Sequence, residues 1–117
     1  RHVKIPVFAD EDVKCSGDIP ALLDAVDGIN IKLMKCGGIR EAIRMISTAR
    51  THGLKIMIGC NIESSVSITA AAHLTPLVDY ADLDGHLLVT NDPYIGVTVD
   101  KGRLALPDGD GLGVKTR

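Results

Sequence analysis

Charged and polar side chains stand at four places in this chain where a short apolar segment ends. They are Asp10-Glu11-Asp12, Lys32 with Lys35, Cys60 to Ser64, and Asp82 with Asp84. Three adjacent carboxylates repel one another unless a cation or water lies close by. A lysine inside an apolar strand is also unusual, because burying an ammonium group is costly unless a partner accompanies it. These residue types indicate a polar site, and Lys32 points either at that site or at solvent.

The segment that carries Lys32 gives the clearest prediction of local structure. Residues 29–34 alternate between two sides, with Ile29, Ile31 and Leu33 on one and Asn30, Lys32 and Met34 on the other. Such alternation predicts a strand. Gly37-Gly38 then predicts a tight turn, and apolar residues at helical spacing predict a helix that begins at Ile39 and ends near Gly53.

The same order of strand and helix recurs along the chain. Apolar runs at residues 4–9, 54–59 and 78–83 predict three more strands, and helices are predicted at residues 18–27 and 66–74. Repeated strand–helix units of this length predict parallel strands joined by right-handed crossovers. Beyond Gly85 we expect a hairpin, in which residues 97–99 and 104–106 flank residues 100–102, and a closing loop over residues 107–113.

Four parallel strands are too few to close a barrel, and an open sheet of four would expose two edges and one face. We therefore predict an α/β fold that is half of a (β/α)8 TIM-type barrel, of about four βα units, with a hairpin and closing segment at its C-terminal end. In such barrels the chemistry lies at the carboxyl ends of the strands. All four polar groups are predicted to lie at that end.

Composition excludes several classes of function. The formal net charge is −2, and no run of Lys and Arg exceeds two residues, so neither nucleic acid nor an anionic membrane surface is an expected partner. No apolar stretch reaches the roughly 18 residues that span a bilayer, and the first residues lack the apolar core of a signal peptide. We expect a cytoplasmic protein. The three cysteines, at positions 15, 36 and 60, are predicted to be reduced thiols.

Four motifs together resemble the enolase superfamily, in its muconate-lactonizing-type subgroup. They are Ala9-Asp10-Glu11, Ile31-Lys32-Leu33-Met34-Lys35 with Gly37-Gly38, Ile62-Glu63-Ser64, and Asp82-Leu83-Asp84. Within the subgroup the chain looks like the C-terminal half-barrel of a dipeptide epimerase of the L-Ala-D/L-Glu type. The resemblance implies that residues 1–117 are a partial catalytic barrel. The family's N-terminal capping domain and the first half of its barrel would be absent.

The resemblance also implies a metal ligand and a base. Asp10 would be the last of three carboxylate ligands to Mg²⁺, with Glu11 beside it as a supporting residue. Lys32 would be one of two lysines that act on opposite faces of the substrate α-carbon. One lysine removes the α-proton to give an enediolate and the other returns a proton, which is a Mg²⁺-dependent epimerisation.

Substrate contacts are implied by the same resemblance. Asp82 and Asp84 would hold the α-ammonium group of a dipeptide by charge-assisted hydrogen bonds. Ile62 and Glu63 lie in the matching substrate loop, where Glu63 either contacts the ligand or braces the loop. The full-length enzyme, an isomerase, is expected to be a homo-oligomer.

The departures from the family leave alternatives open. The second lysine and the first two metal carboxylates have no counterpart here, so the chain by itself is expected to be inactive. Related activities are those of an o-succinylbenzoate synthase, an N-acylamino-acid racemase or a cycloisomerase, and a different class is a catalytically silent half-barrel that needs a partner chain. Structural readings also remain for Asp10-Glu11-Asp12 and for Asp82 with Asp84, which could cap the segments that follow them. A thiol nucleophile or a soft metal site at Cys36, Cys60 and His86 lacks the local spacing.

Overall fold

The computed structural model describes residues 3–117, and its centre is a parallel sheet of four strands. The strands are β1 (Phe8–Ala9), β2 (Gly28–Lys32), β3 (Lys55–Gly59) and β4 (Tyr80–Ala81). They lie in chain order, and each neighbouring pair is parallel. This is the arrangement of consecutive βα units that the sequence predicted.

Helical segments connect the strands. They are a 3-10 helix at Ser16–Leu22, α1 (Leu33–Cys36), α2 (Ile39–Thr51) and α3 (Ser65–Ala72), with further 3-10 segments at Thr75–Leu77 and Gly85–Leu88. Helix α2 begins at the predicted residue. None of the helices in residues 3–117 is long and apolar enough to cross a membrane.

The end of β2 differs from the prediction. The strand stops at Lys32, because Leu33 already begins the one-turn helix α1. Gly37 ends that helix with φ of 85°, and its N–H donates to the carbonyl of Leu33 at 3.1 Å. A left-handed backbone of this kind favours glycine. The placement of Met34 on the strand was therefore wrong, and Lys32 stands at the junction of strand and helix.

Two other strands are shorter than predicted. Strand β1 covers two residues of the predicted run 4–9, and β4 covers two residues of the run 78–83. The helix after β1 is also a 3-10 helix that ends at Leu22 rather than near Asp27. Pro20 lies inside it and cannot donate a backbone hydrogen bond, which disfavours a regular α-helix there.

The two faces of the sheet have different environments. Ile29, Ile31, Ile56 and Ile58 are fully buried on the face that helices cover, where their side chains form the core with Ala42, Met45, Ala49 and Ile68. Side chains alternate along a strand, so the residues between these isoleucines lie on the opposite, open face. The open face contains Asn30, Lys32, Met57 and Gly59, paired across β2 and β3 as Asn30 with Met57 and Lys32 with Gly59.

Aromatic side chains cover the amino-terminal end of the open face. The rings of Phe8 on β1 and Tyr80 on β4 meet edge to face, with 5.6 Å between their centroids. The ammonium group of Lys55 lies 5.9 Å from the centroid of the Tyr80 ring. Lys55 and Lys32 therefore stand at opposite ends of the same face.

The carboxyl-terminal segment forms two small antiparallel pairs. Strand β5 (Tyr94–Ile95) pairs with β8 (Lys115–Thr116), and β6 (Thr98–Asp100) forms a hairpin with β7 (Arg103–Ala105). Lys101 and Gly102 make the turn with φ of 47° and 78°, as tight two-residue hairpins require. This confirms the predicted hairpin. All three cysteines are free thiols, which was also predicted.

A buried carboxylate attaches this segment to helix α3. Asp92 is 8% exposed, and its Oδ2 accepts hydrogen bonds from the backbone N–H and the hydroxyl of Ser65, both at 2.6 Å. Its Oδ1 accepts from the N–H of Tyr94 at 3.1 Å. A negative charge at a helix N-terminus is favourable. The hydrogen bonds from Ser65 hold the pKa of Asp92 below its usual value, although burial opposes this.

We expect Asp92→Ala to lower the free energy of unfolding at pH 7 by about 2 kcal/mol, because it removes hydrogen bonds to a buried ionised group. The pKa of Asp92 is lower in the folded than in the unfolded protein, so its contribution is present above about pH 4 and is lost as the pH falls further. Urea unfolding at pH 7 and at pH 3 should therefore show a smaller effect at pH 3.

Asp110→Ala is the matched control, because Asp110 is exposed in the closing loop. It should change the free energy of unfolding by less than about 0.5 kcal/mol at both pH values. An equal effect of the two substitutions at pH 7 would contradict the anchoring role of Asp92.

Candidate functional site

Four charged side chains meet at the carboxyl ends of β1 and β2. Asp10 follows β1, and its Oδ2 lies 2.8 Å from the Nζ of Lys32. Its Oδ1 lies 3.4 Å from the Nζ of Lys35, which also forms an ion pair with Glu11. We call Asp10, Glu11, Lys32 and Lys35 the Asp10 cluster.

The sheet and the turn after β2 position the two lysines. Strand alternation directs Lys32 to the open face, because its neighbour Ile31 is fully buried against the helices. Gly59 pairs with Lys32 on β3 and adds no side chain beside it. Lys35 approaches the same carboxylate from the single turn of α1 that Gly37 ends. A longer β2 would have carried Lys35 onto an extended chain and away from this turn.

Lys32 is directed at this cluster and not at bulk solvent. Its side chain is 13% exposed, whereas that of Asp10 is 37% exposed. Burial by itself would raise the pKa of Asp10, but the hydrogen bond and charge of Lys32, together with Lys35, hold that pKa below its usual value. The pKa of Lys35 is raised, first by its hydrogen bond to Glu11 and then by Asp10, against the effect of burial.

Asp10 has the chemistry of one ligand to a hard cation. Carboxylate oxygens are preferred by Mg²⁺, and among the described residues Oδ1 of Asp10 has a single polar contact, a long one to Lys35 at 3.4 Å. Residues 3–117 contain no cluster of three or more His, Cys, Asp or Glu side chains that could hold a metal ion. The residues present therefore fit a single position in a coordination shell, and further ligands would have to come from other parts of a protein.

The carboxylates of Asp82 and Asp84 lie just beyond β4 and are exposed. The N–H of Asp82 donates to the carbonyl of Ile58 at 2.9 Å, which extends the pairing of β3 and β4. Leu83, between Asp82 and Asp84, is buried, so alternation along the chain leaves both carboxylates on the exposed side, and Asp84 then precedes the 3-10 segment Gly85–Leu88. Neither carboxylate forms an ion pair with a residue in the described part of the chain. Both are available to a cationic group.

The loop after β3 places its two predicted site residues differently. Ile62 is 68% exposed, whereas Glu63 is 8% exposed. Oε1 of Glu63 accepts from the N–H of Asn61 at 2.8 Å, and its Oε2 accepts from the hydroxyl of Ser67. These contacts brace the loop at the start of α3. Ser67 was not singled out from the sequence, although its position four residues after Glu63 is the spacing of neighbours on a helix.

The loops after β3 and β4 contact each other. A Cβ added to Gly85 would overlap the carbonyl oxygen of Asn61, so the backbone of one loop passes against the other. Asp84 also lies beside Cys60, with 4.0 Å between Oδ1 and Sγ. The structure thereby brings Asp84 close to the loop of Ile62 and Glu63.

Cys60 does not have the environment of a nucleophile. Burial raises the pKa of the Cys60 thiol, and the nearby carboxylates of Asp84 and Asp82 raise it further. A reactive cysteine needs a lowered pKa, because the thiolate is the nucleophile. Cys60 is therefore a packing residue at the edge of the site.

A polar side chain that the sequence analysis gave no role lies below Lys32. Asn30 lies on the open face, and its Oδ1 is buried without a hydrogen-bond partner among the described residues. A Cβ on Gly59 would come within 2.6 Å of this oxygen. The sequence could have indicated this position, because a spacing of two residues along a strand places Asn30 and Lys32 on the same face.

Comparisons with known proteins identify the family and the fold. The sequence profile of the family described as Enolase C-terminal domain-like matches residues 1–117. The L-Ala-D/L-Glu epimerase of Bacteroides thetaiotaomicron is 51% identical over 110 residues, which are 94% of this chain and 29% of that protein. The chain therefore spans about a third of the length of the curated relatives that it matches.

Two solved structures have the same fold at moderate identity. The dipeptide epimerase from Enterococcus faecalis V583, complexed with Mg and the dipeptide L-Leu-L-Tyr, is 39% identical with a TM-score of 0.86, over 96% of this chain and 34% of that one. The N-succinyl Arg/Lys racemase from Bacillus cereus is 30% identical with a TM-score of 0.91, over 99% of this chain and 32% of that one.

Lys32→Met should raise the pKa of Asp10, because it removes the hydrogen bond and the charge that oppose protonation of the carboxyl group. The ¹³C chemical shift of the Asp10 carboxyl group, followed through a pH titration, would then change at a higher pH than in the unsubstituted protein.

Lys55→Met removes a lysine from the other end of the same face and should leave the titration of Asp10 unchanged. If both substitutions shifted it equally, the low pKa of Asp10 would not arise from its contact with Lys32.

Proposed function

The chain belongs to the Enolase C-terminal domain-like family, and from that premise we propose that the enzyme containing it epimerises dipeptides at an α-carbon. The observation that carries the proposal is the contact of 2.8 Å between Lys32 and Asp10 at the carboxyl ends of adjacent parallel strands. It joins an acid–base group to a carboxylate suited to a hard cation. The fold is the C-terminal half of a TIM-type barrel, so chemistry is expected at this end of the sheet.

Lys32 is proposed as the group that exchanges a proton with the substrate. Its ammonium group is mostly buried yet paired, so its position is fixed before any substrate binds. A proton at the α-carbon of a dipeptide is too weakly acidic to leave without charge stabilisation nearby. Asp10 would hold Mg²⁺, which when bound supplies positive charge beside the substrate carboxylate. The base for the opposite face would come from outside residues 1–117.

Asp82 and Asp84 are proposed to bind the α-ammonium group of the dipeptide. Two exposed carboxylates without an ammonium partner in the described residues suit a cationic substrate group. Ile62, 68% exposed in the adjacent loop, would contact the substrate, while the engaged carboxylate of Glu63 holds that loop in place. Binding the ammonium end at one site and the carboxylate end at another would orient the α-carbon toward Lys32.

A racemase of N-acylated amino acids is the second candidate, favoured by the structural likeness to an N-succinyl amino acid racemase. Its substrates have no free α-ammonium group, so Asp82 and Asp84 would have no such group to bind. The cytoplasmic location and the homo-oligomeric assembly remain predictions. Three free thiols support the first of these.

Lys32→Ala in the full-length enzyme should lower α-proton exchange by about a thousandfold, as expected for the loss of a general acid–base group. Exchange is measured by ¹H NMR as deuterium incorporation into L-Ala-L-Glu in D₂O with Mg²⁺ present. Lys55→Ala is the control. Lys55 lies at the far end of the same face, so this variant should retain its activity. Undiminished exchange in Lys32→Ala would rule out the assigned role. No exchange in the unsubstituted enzyme with any dipeptide or N-acylated amino acid would favour a catalytically silent barrel.

Asp82→Asn and Asp84→Asn should each raise KM for dipeptides by about tenfold or more, because each weakens a charge-assisted hydrogen bond. The same variants should show little change with N-acetylated dipeptides, which lack the ammonium group. Asp110→Asn, in the exposed closing loop, is the control. Equal losses on both substrates would contradict an ammonium site, because N-acetylated dipeptides have no ammonium group to lose.

A further inference from the structure

The two oxygens of Asp10 are not equivalent. Oδ2 has a short contact with Lys32 at 2.8 Å, whereas Oδ1 has a long contact with Lys35 at 3.4 Å. Lys35 makes its closer contact with Glu11, the next residue along the chain from Asp10. Lys35 is therefore held mainly by Glu11, which is not the candidate metal ligand.

This asymmetry matters because an ammonium group and a cation compete for the same carboxylate oxygen. Lys35 lies in the single turn of α1, where its side chain is 20% exposed and contacts both Asp10 and Glu11. Without Glu11, its nearest carboxylate oxygen would be Oδ1 of Asp10. Glu11 is 75% exposed and follows Asp10 directly, so its carboxylate contacts Lys35 from the solvent side of the Asp10 cluster.

We propose that Glu11 diverts Lys35 from Asp10 and so leaves Oδ1 as the oxygen that accepts the metal ion. This inference rests on the proposed function, in which Asp10 is a Mg²⁺ ligand. Glu11 and Lys35 are positioning residues, because they act through Asp10 and need not touch the substrate. Lys32 keeps its contact with Oδ2. Asp10 would therefore contact the metal ion through one oxygen and the proton-transfer residue through the other.

The diversion of Lys35 by Glu11 and a purely electrostatic effect of both residues on the cation predict different changes in Mg²⁺ affinity. If Glu11 and Lys35 act only as charges near a cation, Glu11→Gln weakens Mg²⁺ binding by the same factor whether or not Lys35 is present. If Glu11 diverts Lys35, its loss matters mainly when Lys35 is there to occupy Oδ1. A double-mutant cycle separates the two, because it measures the dependence of one substitution on the other.

The test is isothermal titration of Mg²⁺ alone into the full-length enzyme and into its Glu11→Gln, Lys35→Met and double variants. We expect Glu11→Gln to weaken Mg²⁺ binding about tenfold in the presence of Lys35. This factor combines the loss of an exposed ion pair, which frees Lys35 to contact Asp10, with the loss of a screened negative charge. In the Lys35→Met background the same substitution should weaken binding about twofold. Lys14→Met, an exposed lysine on the same loop as Asp10, should leave the affinity unchanged.

The Mg²⁺ dependence of kcat is a second measurement, and a purely structural role of Glu11 would not change it. Excess Mg²⁺ should restore the kcat of Glu11→Gln, because the variant loses metal affinity and keeps Lys32. Thermal unfolding identifies any variant that fails to fold, and Lys35→Gln replaces Lys35→Met in that case. Equal effects of Glu11→Gln in both backgrounds would overturn the diversion. Absence of Mg²⁺ binding to the unsubstituted enzyme would instead overturn the proposed metal role of Asp10.

Discussion

The ion pair between Asp10 and Lys32 is the interaction on which the candidate site depends. It joins the ends of two adjacent parallel strands with 2.8 Å between Oδ2 and Nζ. A mostly buried ammonium group is acceptable here because a carboxylate accompanies it, and the carboxylate in turn stays ionised because two lysines face it. The register that pairs the strands therefore also brings together Lys32, the proposed acid–base group, and Asp10, the proposed cation ligand.

The sheet supports this pair through the contrast between its two faces. Isoleucines from β2 and β3 are fully buried against the helices, which fixes the position of both strands. The alternate positions on the same strands then face the open side, where Lys32 and Asn30 lie. A shift of one residue in register would exchange the two sets, so core packing strongly specifies the position of Lys32. Asn30, whose Oδ1 has no hydrogen-bond partner within residues 3–117, makes the open face partly polar below the site.

Much of this arrangement follows from sequence patterns. Alternation around Ile29 and Ile31 predicted β2 and its two faces, helical spacing from Ile39 predicted α2, and the turn at Lys101 and Gly102 was predicted as a hairpin. The errors lie where local signals compete. Leu33 continues the alternating pattern but forms the first residue of α1, because the left-handed Gly37 allows a one-turn helix to close there. Apolar runs at residues 4–9 and 78–83 similarly overstate β1 and β4, since pairing with a neighbour, and not apolar character, defines a strand.

The sequence by itself determined the order of the elements, the half-barrel class and the residue types at each strand end. These follow from periodicities and motifs that extend over a few residues. Only the tertiary structure decided which of those residues touch. Asp10 contacts Lys32 across two strands, and Glu11 contacts Lys35. The carboxylate of Glu63 accepts hydrogen bonds from Asn61 and Ser67. Side-chain partners depend on strand register, on the reach of each side chain and on competition between charges, and none of these is encoded in local spacing.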